Sequence, residues 1–377
     1  MYKRKIDLQA LLKKKSVLLL GPRSTGKSFY VRNQLENVFV INLLKNEDYL
    51  KLSVNPSLLE SVIKPHKDKI IVIDEIQKIP ELLDEVHRLI EDFEIRFLLT
   101  GSSARKLKGQ KVNLLGGRAW PAQMFPLSFC ELGQDFDLNK ILNVGSLPQV
   151  YKSEDPQEEL SAYVQLYIDA EIKTESLVRK IPSFVRFLHG AAVSSGELIH
   201  FQNIASDTEN PAPTVRHHYS ILEDTLIGFQ LAPWLESKKR KAIQTSKFFF
   251  FDMGVLNQIL NLNVQENSNL FGNRFEHFIV NEIRCALSYQ RRKIEPYFWR
   301  STAGHEVDCV FGNTAIEIKA SRRISEKHKK GLLALREEKK HKEFFVVSLD
   351  PSETLDENGI RTLPYLTFLK KLWEGEI

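Results

Sequence analysis

The chain has 377 residues, 42% hydrophobic and 27% charged, with a formal net charge of +5. That length exceeds one ordinary core, so two or three domains are expected, and the composition excludes disordered and fibrous classes. The mild positive charge permits contact with nucleic acid without requiring it.

At the N-terminus, residues 1–5 carry the charge of a signal-peptide n-region. Asp7 and Gln9 then interrupt the apolar stretch and three lysines at 13–15 close it, so no h-region forms. No later run approaches the roughly 18 apolar residues a spanning helix needs. The chain reads as cytoplasmic, with no membrane partner. Cys130, Cys285 and Cys309 are far apart, follow no metal-ligand spacing, and read as incidental thiols in a reducing compartment.

Residues 17–20, Val-Leu-Leu-Leu, are a short apolar run of the kind a buried parallel strand shows. They lead into Gly21, Pro22, Arg23, Ser24, Thr25, Gly26, Lys27 and Ser28, which fit G-x-x-x-x-G-K-[ST], and a helix-compatible stretch follows over 29–35. The glycines let the backbone curl so that its N–H groups face phosphates, and the helix start adds partial positive charge. Lys27 then pairs with the β- and γ-phosphates of ATP, and the Ser28 hydroxyl ligates Mg²⁺.

Further along, the apolar run 38–43 predicts an additional strand, which separates the next motif from the P-loop strand in sequence. Residues 70–73 are a buried strand ending in Asp74 and Glu75. Asp74 is placed to hold the Mg²⁺ water shell, and Glu75 is the natural general base for the attacking water; the bland alternative is a solvated turn. A strand over 96–99 ends at Thr100, whose hydroxyl would sit between γ-phosphate and water, with Ser102 as the alternative and a capped turn as the plain reading. Arg118, after Gly116 and Gly117, is either a finger for the γ-phosphate or a surface arginine. A finger would act in cis or, in a homo-oligomer, in trans.

These residues carry a resemblance. The loop 21–28, Ile-Asp-Glu-Ile-Gln-Lys at 73–78, Leu-Thr-Gly-Ser-Ser at 99–103, Gly-Arg-Ala at 117–119 and Pro-Leu-Ser-Phe at 126–129 resemble the AAA-like ATPases of bacteria and archaea that bear a C-terminal domain of unknown function. The resemblance spans nearly the whole chain. It implies an ATPase core, a winged-helix segment and a nuclease-fold tail. Ser28 where threonine is common, and Ser24-Thr25 where Gln-Val is usual, are small departures.

Residues 137–181 are helical and charged, with Gly145 and Pro148 as punctuation, where an AAA-like protein carries its lid. Residues 184–192 read as an amphipathic helix, 201–206 as a second, and a third runs from a Thr214 cap to about Leu226. This order suits a helix-turn-helix with Arg216, His217 and His218 towards a groove or phosphates. Strands over 229–234 and 248–251 would be the wing, and the basic tip 238–241 between them is a phosphate-contact candidate. The alternative is a solvated loop on a domain used for packing.

In the last third, a helix over 272–283 precedes a strand near 296–300 and a hairpin, 305–311 and 314–320, turned by Gly312-Asn313. Alternation puts Glu306 and Asp308 on one face, and Glu317 and Lys319 on one face. Asp308 followed by Glu317-Ile-Lys319 resembles the PD-(D/E)XK nuclease core, with Glu276 matching that family's helix carboxylate and Val307 replacing the proline of the motif name. Glu276, Asp308 and Glu317 would then hold a second Mg²⁺ or Mn²⁺, with Lys319 steadying water or the leaving phosphate. Arg322, Arg323, Lys327, Lys329 and Lys330 would face a nucleic-acid backbone or simply solvate a helix.

The expected architecture is α/β: an ATPase core over 1–132, a helical lid over 133–181, a winged helix over 182–251 and a nuclease-like domain over 252–377. Its partners would be ATP and DNA or another nucleic acid. Two functions fit, an ATP-regulated DNA-processing nuclease or a nucleotide switch whose nuclease-like domain binds without cutting.

Overall fold

In the first unit, four apolar runs and a fifth segment not expected as a strand become five parallel strands: β1 (Ser16–Leu20), β2 (Val38–Asn42), β3 (Ile70–Asp74), β4 (Phe97–Gly101) and β5 (Ala119–Gln123). They pair in the order β2-β3-β4-β1-β5. The near-continuous apolar character of β1, β3 and β4 follows from burial on both faces. Helix α1 (Leu8–Lys14) precedes β1, and between the strands run α2 (Lys27–Gln34), α3 (Asn46–Val54), α4 (Leu58–Ile63) and α5 (Leu82–Phe93). On α5, Leu82, Leu83, Val86 and Leu89 fall at helical spacing and bury against Ile71, Ile73, Phe97 and Leu99. The strand that intervenes between β1 and β3 is β4, while β2 lies at the sheet's edge. Thr100 is therefore brought between the P-loop strand and the Asp74 strand.

The structure is a computed structural model describing residues 2–103, 115–173, 178, 180–266 and 268–377. It divides into two units, Met1–Leu127 with Ile221–Ile227, and Ser128–Ser220 with Gly228–Ile377. The second unit contains α6 (Phe129–Leu132), α7 (Leu138–Val144), α8 (Pro148–Lys152), α9 (Pro156–Leu166), α10 (Ile181–Val193), α11 (Phe201–Asp207) and most of α12 (Ala212–Asp224). After β6 (Gly228–Pro233) and β7 (Lys247–Phe250) come α13 (Met253–Leu260), α14 (Asn269–Tyr289), β8 (Tyr297–Arg300), β9 (Glu306–Phe311) and β10 (Thr314–Lys319). The chain ends with α15 (Lys330–Arg336), β11 (Glu343–Ser348), β12 (Thr354–Leu355), β13 (Ile360–Pro364) and α16 (Tyr365–Glu374).

The boundary expected at 251/252 is crossed by structure. The eight-stranded sheet runs β12-β13-β11-β10-β9-β8-β6-β7, so the expected wing strands continue the C-terminal sheet. Ala232 and Pro233 on β6 pair in parallel with Tyr297 and Phe298 on β8. The helices expected as a lid are likewise tied to the C-terminal region. Asn257 on α13 donates to the Leu142 and Asn143 carbonyls at 2.9 Å, and the buried Asp252 accepts from Ser146 N at 2.8 Å.

Three further expectations change. His218 is buried between Phe184 and Phe187 rather than turned to a groove, and burial lowers it to about 4, so it is neutral. Arg216 lies over the Phe201 ring, 4.0 Å from its centroid. The basic stretch 238–241 is docked: the Lys238, Lys239 and Arg240 amides all donate to the Glu338 carboxylate just beyond α15. The Lys238, Lys239 and Lys241 side chains remain exposed.

Candidate nucleotide site and C-terminal carboxylate cluster

At the C-terminal end of β1 the chain turns through a loop only glycine can begin. A Cβ on Gly21 would lie 2.5 Å from the Met124 carbonyl oxygen, and Gly26 has φ +94°. The buried Lys27 reaches back over the loop, donating to the carbonyls of Gly21 at 2.7 Å and Pro22 at 2.9 Å. Ser28 on α2 donates to Asp74 at 2.8 Å. These two oxygens, from the loop's helix and from the end of β3, are thus adjacent, and as hard oxygen donors they fit a bound Mg²⁺.

Thr100, fully buried, joins this arrangement from β4. Its hydroxyl donates to the other Asp74 oxygen and accepts from the Glu75 amide at 3.3 Å. Glu75 itself sits in the left-handed region at φ +64°, a conformation costly for a non-glycine residue and common at functional sites. Its carboxylate accepts from Gln77 and from Ser102 at 3.2 Å. The expected base thus has its side chain and its backbone held by separate partners.

Two residues of this site escaped the sequence reading. Gln77 lies in the 73–78 run that carries the resemblance, but no role is read for it there. Arg4 is in the stretch resembling a signal n-region, yet its buried guanidinium donates to the Thr25 carbonyl at 2.9 Å and the Phe125 carbonyl at 2.5 Å. It fastens the P-loop to the segment after β5. Pro22, Arg23 and Ser24 stay in the loop as expected, Ser24 at φ +60°. Arg118 precedes β5, and β5 starts opposite Ser16 and reaches Gln123 opposite Leu20. It therefore stands at the end of the sheet away from the loop, paired with Glu91. That placement does not suit a finger acting in cis.

In the second unit, the hairpin brings Asp308, Glu317 and Lys319 together. Lys319 lies 2.6 Å from Glu317 and 3.4 Å from Asp308, whose carboxylate also accepts from Ile318 N at 2.7 Å. Burial first, and then the Asp308 charge, push Glu317 well above the usual carboxylate range, and its second oxygen has no hydrogen-bond partner. The residue missed here is Lys247 on β7. Its side chain is 4% exposed and its ammonium lies 3.1 Å from Glu276 and 2.7 Å from Glu306. Burial and Asp308 raise Glu276, against the pull of Lys247, to about 7. Arg300 is 3.5 Å from Glu306. Among the described residues no group of three or more His, Cys, Asp or Glu side chains is set to hold a metal ion. Of the five basic residues after the hairpin, Lys329 turns inward to Glu326 and Asp356.

A family model described as "AAA domain" matches residues 13–133. The first unit has an AAA-like P-loop ATPase fold. Two models described only as domains of unknown function, DUF8612 and DUF4143, match residues 135–266 and 271–368. An uncharacterized protein of Haemophilus influenzae is 25% identical over 321 residues, covering 75% of this chain and 78% of that one. Among solved structures, the ORC1 protein of Aeropyrum pernix in complex with DNA matches at 13% identity and TM-score 0.28, over 68% of this chain and 92% of that one. The Drosophila ORC bound to AT-rich DNA and Cdc6 matches at 11% and 0.22, over 67% and 88%. Likenesses of that extent say nothing of what this chain binds. Among the described residues no helix is long and apolar enough to cross a membrane.

Proposed function

We propose that the chain is a Mg²⁺-dependent ATPase whose nucleotide state governs a C-terminal unit that binds nucleic acid or a protein partner without cutting it. One observation carries the ATPase reading: the Ser28 hydroxyl, the Asp74 carboxylate, the Thr100 hydroxyl and the Glu75 backbone form one hydrogen-bonded chain beside the P-loop. The loop amides and Lys27 bind and orient the phosphates, Lys27 exchanging its loop carbonyls for phosphate oxygens. Ser28 and Asp74 would hold Mg²⁺, which when bound neutralises phosphate charge. Glu75 takes the proton of the attacking water. Thr100 fixes the Asp74 carboxylate and the Glu75 backbone, so the base need not reorganise during reaction. Arg118, paired with Glu91 at the other end of the sheet, takes no part in this chain's own site.

The element order α10, Leu198 bridged to Lys247, α11, α12, β6, β7 supports a winged-helix arrangement. Exposed Lys238, Lys239, Lys241, Arg323, Lys327 and Lys330 supply cations for a phosphate backbone. A second reading, cleavage at Asp308, Glu317 and Lys319, is favoured by the convergence of those side chains with Glu276 nearby. Against it stands Lys247, which already pairs with Glu276, the helix carboxylate which that reading gives to the metal. Incubating linear, nicked and single-stranded DNA with Mg²⁺ or Mn²⁺, with and without ATP, separates the readings. Intact DNA throughout, with ATP turnover abolished by Glu75→Gln, is the expected result. Cleavage lost in Asp308→Ala and kept in Lys27→Ala would establish the nuclease instead.

A further inference from the structure

Four carboxylates, Glu276, Glu306, Asp308 and Glu317, meet three cations, Lys247, Lys319 and Arg300, in the second unit. Lys319 lies on β10 beside the carboxylates it serves, as the sequence pattern anticipates. Lys247 comes from β7, three strands from β9 in the sheet, and nothing in the motif calls for it. Its backbone is fixed by pairing with Leu231 on β6 and by a bridge to Leu198. The ammonium lies 5.5 Å from the centre of the Phe298 ring, and at 4% exposure the side chain cannot snorkel to water.

We propose that the Lys247 ammonium takes the place of a divalent cation among these carboxylates, and so closes the C-terminal cluster to metal. An ammonium offers three donors and one charge to oxygens at hydrogen-bond distance. A divalent ion needs the same oxygens at about 2.0–2.6 Å, and it would meet there the charge of a lysine whose own side chain is only 4% exposed. Burial alone would lower Lys247, but Glu276, Glu306 and Asp308 reverse this and hold it protonated above the ordinary lysine range. Glu276, the helix carboxylate expected to ligate metal, is thus engaged by an internal counter-ion. Only side chains of the second unit take part, none of them belonging to the P-loop site.

Replacing the charge while keeping the length tests it. Full-length protein without nucleotide is titrated with Mn²⁺ by calorimetry, and its unfolding temperature is followed. In the wild type, substituting Asp308→Asn leaves the Mn²⁺ isotherm unchanged. Lys247→Met gains a Mn²⁺ site, and its unfolding temperature rises by about 5–10 °C at a hundredfold excess over Kd. That gain is lost in Lys247→Met/Asp308→Asn, and Lys247→Arg remains blind to Mn²⁺. The proposal is overturned if folded Lys247→Met gains no site. It is equally overturned, whether or not Lys247→Met folds, if wild-type protein binds Mn²⁺ at a site that Asp308→Asn removes.

Discussion

At the scale of single residues, the nucleotide site turns on hydroxyls and amides more than on extra charge. Thr100 satisfies both Asp74 and the strained Glu75 backbone, so Thr100→Val removes the hydroxyl while keeping the shape. We expect hydrolysis to fall about 10–100-fold with ATP affinity little changed, and stability to fall by about 1–3 kcal/mol because buried partners are left unpaired. Phosphate release, nucleotide titration and thermal unfolding check the three parts separately. Arg4 predicts the opposite split. Arg4→Ala loosens the loop it fastens at Thr25 and Phe125, so ATP affinity falls about tenfold while the rate at saturating ATP is largely kept. Equal loss in both quantities would contradict that role. Glu75 and Asp74 were legible because an acidic pair after an apolar strand is a local pattern. Arg4 was not, because its partners lie 21 and 121 positions away.

Elements show the same divide between local pattern and long-range pairing. Four of the five strands of the first unit could be read from their apolar runs, and the hairpin of β9 and β10 from its Gly-Asn turn, whereas β5, Ala-Trp-Pro-Ala-Gln, gave no such run. Which strand stood between β1 and β3, and that β6 would join β8, could not, since sheet order depends on pairings no window of sequence contains. Helix α14 adds a buried acid. Glu282 accepts from Phe129 N and the Trp373 indole, each at 2.8 Å, and burial raises it to about 7. The folded chain therefore holds a proton that the unfolded chain releases near pH 4.5. Its contribution is full below that pH and is lost as pH rises through about 7. Glu282→Gln removes this dependence and leaves one of the two donors without an acceptor. Urea unfolding should find the variant less stable by about 1–3 kcal/mol at pH 5, with the gap narrowing towards pH 8. A gap that widens with pH would refute the assignment.

For the whole molecule, the prediction concerns nucleic acid. Contact through lysines and arginines displaces counter-ions, so affinity for DNA should fall steeply and linearly with the logarithm of salt concentration. Arg323→Ala combined with Lys327→Ala should lower that slope by about 2 and weaken all sequences alike; an unchanged slope would remove this surface from the account. The central claim, that the P-loop unit hydrolyses ATP, is tested most directly by phosphate release from full-length protein beside Glu75→Gln, with nucleotide binding followed on the same samples. The account predicts Mg²⁺-dependent release by the wild type and a loss of about 10²–10⁴-fold in the variant, with ATP still bound. Hydrolysis undiminished in Glu75→Gln, or a wild-type chain that binds no ATP, would contradict it.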